Sequence, residues 1–128
     1  MLLSTSLIKV LAVAIGAIPG ALIRFYLTEW CRRAIGTGFP YGTFLINITG
    51  CGAMGFFVGF TARVLLPPEL SLLIATGFLG SYTTFSTYEL DALTLARRGK
   101  VGSSLFYWAS SIVLGVLALQ LGNRLAQL

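Results

Sequence analysis

Ionisable residues cut this chain into four stretches that carry no charge and are predominantly apolar. They lie between Lys9 and Arg24, between Arg33 and Arg63, between Glu69 and Glu89, and between Lys100 and Arg124. A helix needs about 20 mostly apolar residues to cross the hydrocarbon of a bilayer. With their apolar flanks the four stretches predict membrane spans at about 7–27, 41–62, 70–96 and 101–123. Pro67 and Pro68 mark the second turn, and the run Ala96, Arg97, Arg98, Gly99, Lys100 marks the third. The expected architecture is an all-α membrane protein, one four-span domain over residues 1–128 with no appended soluble domain.

Composition agrees with that reading and excludes others. Charged residues make up 10% of the chain, against roughly 25% in soluble domains, and the mean hydropathy is +0.87. The chain has no histidine, so histidine-based triads, haem ligation and histidine metal sites are excluded. Cys31 and Cys51 fit no metal-ligand spacing. The 4 acidic residues form no cluster, so enzyme chemistry is disfavoured. The first apolar run is expected to be retained rather than cleaved as a signal peptide, because its positive charge, Lys9, lies inside the run and three further spans follow. With four spans, Lys9, Arg63 and Arg124 share one side, and Arg32, Arg33, Arg97, Arg98 and Lys100 share the other. That weak positive-inside bias is compatible with one preferred orientation or with insertion both ways.

Several residues do not belong in lipid. Small residues recur at four-residue spacing in Gly16/Gly20, Cys51/Gly55/Gly59 and Ser111/Gly115, where helix backbones can approach closely. Arg24, near the end of the first span, either anchors at the interface or faces protein and water. Asn47 sits inside the second span with Thr43 one turn before it on the same face. Its amide offers N–H donors either to an anion or to a neighbouring helix. In the fourth span Ser104, Tyr107, Ser111 and Gly115 fall near one stripe, which is either a hydroxyl track for a desolvated ion or a set of side chains bonded to their own helix. The third span holds TGFLGSYTTFSTYELD, in which every residue from 81 to 87 except Phe85 carries a hydroxyl, and Gly77 and Gly80 are expected to weaken the helix. Irregular backbone at membrane depth persists where it is buried in protein or lines a cavity, and its freed carbonyl and N–H groups can meet ions. Phe85 and Tyr88 follow at i and i+3, and a ring edge offers an anion weak attraction.

Along nearly its full length the chain resembles the Fluc (CrcB-type) fluoride channels, on the segments GALIRF, GTFLINITG and TGFLGSYTTFSTYE. The resemblance implies a small four-helix subunit with a break in the third helix, assembled as an antiparallel, dual-topology homodimer with two fluoride pores. It implies a structural sodium ion (Na+) at the dimer centre, held by backbone carbonyls of Gly80 and Thr83 from both subunits. Asn47 matches the pore asparagine, Phe85 the first of two pore phenylalanines, and Tyr88 stands in place of the second. Tyr107 and Ser111 match the polar track of the fourth span, with Gly115 where a further serine is frequent. Ser81 replaces a frequent glycine, and Arg24 matches a first-span arginine of structural or vestibular role. The function so implied is passive, selective fluoride export across a bacterial cell or inner membrane; Thr43, on the Asn47 face, is expected on the same path by its spacing. No nucleotide motif is present and no nucleic-acid partner is implied. The alternative is a small dual-topology proton-coupled multidrug transporter, which would need a membrane-embedded carboxylate; Glu89 and Asp91 lie toward the end of the third span instead.

Overall fold

The structure is a computed structural model describing residues 2–128. Among the described residues all regular structure is helical. In chain order the elements are α1 (Leu2–Ala34), α2 (Tyr41–Thr61), α3 (Pro68–Ser71), a π-helical stretch (Leu72–Leu79), α4 (Gly80–Tyr82), α5 (Phe85–Arg97) and α6 (Val101–Leu125). Three helical stretches are long and apolar enough to cross a membrane: Ser6–Ala34, Tyr41–Thr61 and Val101–Leu125.

Local chemistry sets the ends of these elements. α1 continues past its apolar part because Glu29 pairs with Arg32 at 2.7 Å and with Arg33 at 2.5 Å, both one turn away on the same helix. Gly36 then takes a left-handed φ of 104°, which an L side chain rarely adopts. Pro68 opens α3 at a first-turn position, where its missing N–H leaves no helical bond unmade. α5 closes in a Schellman turn. Gly99 at φ 76° donates its N–H to the Ala96 carbonyl, and the Lys100 N–H reaches back to the Leu95 carbonyl, each at 3.0 Å.

Glycines set the packing. A Cβ at Gly16 or Gly20 would collide with the backbone of Leu73 or Phe78, so α1 lies in backbone contact with the π-helical stretch. Gly77 meets α1 from the other side, 3.0 Å from Gly16 Cα to where its Cβ would stand. The α2–α6 pair is built the same way, with Gly55 against Leu119, Gly59 against Asn123 and Gly122 against Gly52 and Phe56. Small residues at such crossings let helices gain van der Waals contact where lipid gives no hydrophobic drive. α5 packs on α6, where the Tyr88 and Tyr107 rings lie 5.2 Å apart.

The bundle has two chemically distinct ends. At one end the Arg63 guanidinium donates to the Gln127 carbonyl, and Pro67 and Glu69 lie by Ile8 and Leu11 of α1. At the other, Arg32, Gly36 and Thr37 line a shared cavity with Arg98. Between the ends most large apolar side chains face outward, including Ile15, Leu22, Val58, Leu105 and Leu117. The largest fully buried side chains are Tyr107, Ile46 and Cys31. Leaving so much apolar surface in water would forfeit about 25 cal/mol per Å², and in lipid it costs nothing. The fold is that of a multi-pass helical membrane protein.

The irregularity expected in the third span lies past its glycines. Gly77 and Gly80 do not interrupt the winding: Gly77 lies inside the π-helical stretch, and Gly80 is right-handed helical at φ −63°, ψ −32°. Gly77 is small because α1 presses against it, not because the helix fails there. Winding stops instead at Thr83 (φ −78°, ψ 160°) and Thr84 (φ −151°, ψ 115°), and resumes at Phe85.

Candidate functional site

The extended pair Thr83 and Thr84 anchors the site. β-branched residues lose rotamer freedom in a helix and fit extended backbone well. Both hydroxyls then cap what surrounds them. Thr83 Oγ1 donates to the Leu79 carbonyl at 3.1 Å. Thr84 Oγ1 accepts the Thr87 N–H at 3.3 Å, an N-cap for α5, and donates to Thr87 Oγ1 at 2.9 Å.

Asn47 reaches this pair from α2. Its Nδ2 donates to the Thr84 carbonyl at 3.0 Å, and its Oδ1 accepts the Thr84 N–H at 2.9 Å. From α1, Arg24 Nη1 donates to the Thr83 carbonyl at 3.3 Å. Beside these contacts lies an open cleft of about 280 Å³, lined by Asn47, Cys51, Thr83, Thr84, Phe85, Tyr88, Ser111 and Ile112. Its polar groups are an amide, hydroxyls, a thiol and backbone, with no charged side chain. Phe85 is 74% exposed, and its ring centroid stands 5.9 Å from that of Tyr88.

Tyr88 is only 6% exposed, and its hydroxyl donates to the Trp108 carbonyl of α6 at 2.9 Å. The phenol is thus turned onto the backbone of α6. Ser111 lines the cleft, but its Oγ donates to its own helix at the Tyr107 carbonyl, 2.7 Å away. Ser104 donates across to the Ala92 carbonyl at 2.6 Å. Tyr107 is completely buried against Phe39, Phe44 and Tyr88, and its hydroxyl has no partner among the described residues. Gly115 lies beside Cys51, whose Sγ would stand 3.4 Å from an added Cβ.

Thr43 parts company with Asn47. Although one turn apart on α2, Thr43 is buried and donates through Oγ1 to Asp91 Oδ2 at 2.7 Å. It lines a second cavity of about 250 Å³ with Asp91, Thr87 and the basic residues Arg32 and Arg98. Sequence reasoning passed over Asp91 as a partner. The available signal was a carboxylate on the same stripe as Tyr88 and Ala92, the inward face of α5.

Around Gly80 and Thr83 the end of the helical winding leaves carbonyl oxygens outside the regular helical pattern. In an unbroken helix the Gly80 carbonyl would receive the Thr84 N–H, but that N–H goes to Asn47. A Cβ on Gly80 would meet only the Ala75 carbonyl at 3.7 Å, so the surroundings are open. The Thr83 carbonyl keeps one lone pair beyond the Arg24 contact. Both are neutral oxygens, the ligand type that hard cations prefer.

Fold and site together define a multi-pass α-helical membrane protein with an uncharged polar cleft set beside an irregular stretch of backbone. A family profile described as "CrcB-like protein, Camphor Resistance (CrcB)" matches residues 11–123. The chain is 54% identical over 120 residues to the "Fluoride-specific ion channel FluC" of Trichormus variabilis, covering 92% of this chain and 88% of that protein. It is 48% identical over 128 residues to the protein of the same name from Synechococcus sp., covering 99% and 98%. A third of that name, from Acidobacterium capsulatum, is 46% identical over 119 residues, covering 89% of this chain and 92% of that protein. The chain belongs to the CrcB family.

Proposed function

We propose that this protein is a fluoride-selective ion channel, passing fluoride down its gradient and out of the cell. The observation that carries the reading is its 54% identity, across nearly its whole length, to a protein named as a fluoride-specific channel. The chemistry of the cleft supports it. Fluoride holds its water tightly, so a path must replace hydration with many donors while avoiding a fixed positive charge that would trap the ion. Asn47, with one amide N–H left without a partner among the described residues, and the ring edge of Phe85 answer that requirement. Tyr88 and Ser111 shape the wall, Tyr107 is buried behind Tyr88, and Thr43 with Asp91 belongs to a separate chamber near the Arg32 and Arg98 end.

The subunit crosses the membrane four times, the third crossing being the composite of α3 through α5. It works as an antiparallel homodimer in a bacterial plasma membrane. An open cleft with an aromatic ring standing 74% exposed is half a channel wall, which a second copy would complete. Gly80 and Thr83 would supply carbonyl oxygens to a structural Na+ between the two copies, joining them through neutral ligands. The protein is a conduit and not an enzyme. Proteoliposomes loaded with potassium fluoride should release fluoride to an external electrode when potassium is allowed to follow, while chloride-loaded vesicles hold their contents. Equal release of the two anions would overturn the assignment of selectivity.

A further inference from the structure

We propose that Asn47 and Arg24 are positioning residues that together substitute for the missing helical hydrogen bonds of Thr83 and Thr84. Two extended residues expose four backbone polar groups, and each must find a partner when water is absent. All four are met. The Thr83 N–H donates to the Leu79 carbonyl at 3.1 Å. The Thr83 carbonyl accepts from Arg24. The Thr84 N–H and carbonyl pair with the two ends of the Asn47 amide. The amide thus occupies the place of a neighbouring β-strand, exchanging two hydrogen bonds with one residue, as in a hydrogen-bonded antiparallel pair.

This arrangement explains why the residue is an amide and why the cation is long. A carboxylate could accept the Thr84 N–H but could not donate to its carbonyl, and a hydroxyl could not span both groups. Glycine at position 50, one turn below, keeps the approach open, because a Cβ there would strike the Thr83 methyl. The clamp sets the direction in which the chain leaves Thr84. It therefore sets where Phe85 stands and how α5 lies against α6 through Tyr88 and Ser104. Asn47 then acts on the path in two ways, by its free N–H and by holding the backbone that carries Phe85. The consequence for ion flux rests on the fluoride-channel reading; the clamp itself does not.

Amide hydrogen exchange in detergent or nanodiscs reads the clamp directly. In the unaltered protein the Thr84 amide should exchange as slowly as amides inside α2, although its backbone is extended. Fast exchange at Thr84, with α2 protected, would overturn the proposal without any variant. Asn47→Ala should speed exchange at Thr84 on the order of tenfold or more, while α6 amides stay unchanged. Asn47→Asp should keep Thr84 protected, because its N–H still has an acceptor, and yet lose fluoride release. If Asn47→Ala leaves Thr84 protected, the residue is a path donor only and the clamp is refuted; if Asn47→Ala does not fold, Asn47→Ser, whose short hydroxyl cannot span both Thr84 groups, should show the same faster exchange, and protection kept in it refutes the clamp. Arg24→Lys, a donor on a stem of nearly the same reach, should preserve more fluoride release than Arg24→Met, which keeps the length and loses the donor. Equal loss in the two would mean that Arg24 does not act as a donor to Thr83. Failure of fluoride selectivity in the unaltered protein would sink the channel reading alone, since the exchange data do not depend on the ion.

Discussion

Phe85 and Tyr88 are three positions apart on α5 and occupy opposite environments. Tyr88 is buried with its hydroxyl on the Trp108 carbonyl, whereas Phe85 projects from the subunit and is largely exposed. Tyr88→Phe removes one hydrogen bond to a carbonyl that its own helix also engages. It should cost about 1 kcal/mol of stability and keep most of the fluoride flux. Phe85→Ile should leave the fold intact, because so exposed a ring contributes little to the core. It should lower flux on the order of tenfold, the effect of about 1.4 kcal/mol on a barrier. Efflux and thermal unfolding of both variants check the pair; a Phe85→Ile protein with full flux would make the ring mere packing. At this scale the sequence was a partial guide. Asn47 and Thr83 could be singled out as residues foreign to lipid, and Phe85 by its place beside the irregular segment; the three line one cleft. Thr43 was grouped with Asn47 by helical spacing, and spacing is blind to the partner opposite. Asp91 on α5 draws Thr43 away.

Among the elements, the two tight crossings rest on glycines whose tolerance differs sharply. A Cβ at Gly55 would lie 2.9 Å from the Leu119 Cα, a backbone atom that cannot move aside, whereas at Gly52 it would meet Ala118 at 3.6 Å, an ordinary contact. Gly55→Leu should therefore destabilise the subunit by about 3 kcal/mol and reduce the yield of folded protein, while Gly52→Ala should be tolerated. Unfolding curves in detergent compare them, and equal stability of the two would mean that α2 and α6 are not in backbone contact. The small-residue stripes were legible because their period matches a helix face. The π winding of residues 72–79 was not, since nothing in LLIATGFL distinguishes it from an ordinary helix. The irregular segment was legible as a whole, but not which of its residues leave the helix. What ends the helix is a pair of β-branched residues whose backbone groups find side-chain partners on other helices, and such long-range contacts leave no local pattern.

For the whole molecule, charge segregation is the feature that reaches furthest. Arg63 bonds Gln127 at one end of the bundle, and Arg32 and Arg98 line one cavity at the other. The basic residues split weakly between those ends, and tags on the termini should therefore be found on both faces of the membrane. Adding two or three lysines beside Arg63 should force one orientation and reduce flux, because antiparallel pairs become scarce; full activity from a single orientation would refute the antiparallel assembly. The helical membrane class was plain from apolar length alone, whereas assembly lies in surfaces that a single subunit leaves open. The central claim, a passive and selective route for fluoride, is tested most directly by the reversal potential of currents through the purified protein in a planar bilayer. Opposed gradients of fluoride and chloride would be imposed, with and without a pH difference. The current should reverse at the fluoride equilibrium potential and stay there when pH or chloride is changed. Reversal that follows chloride, or that shifts with the proton gradient, would contradict the account.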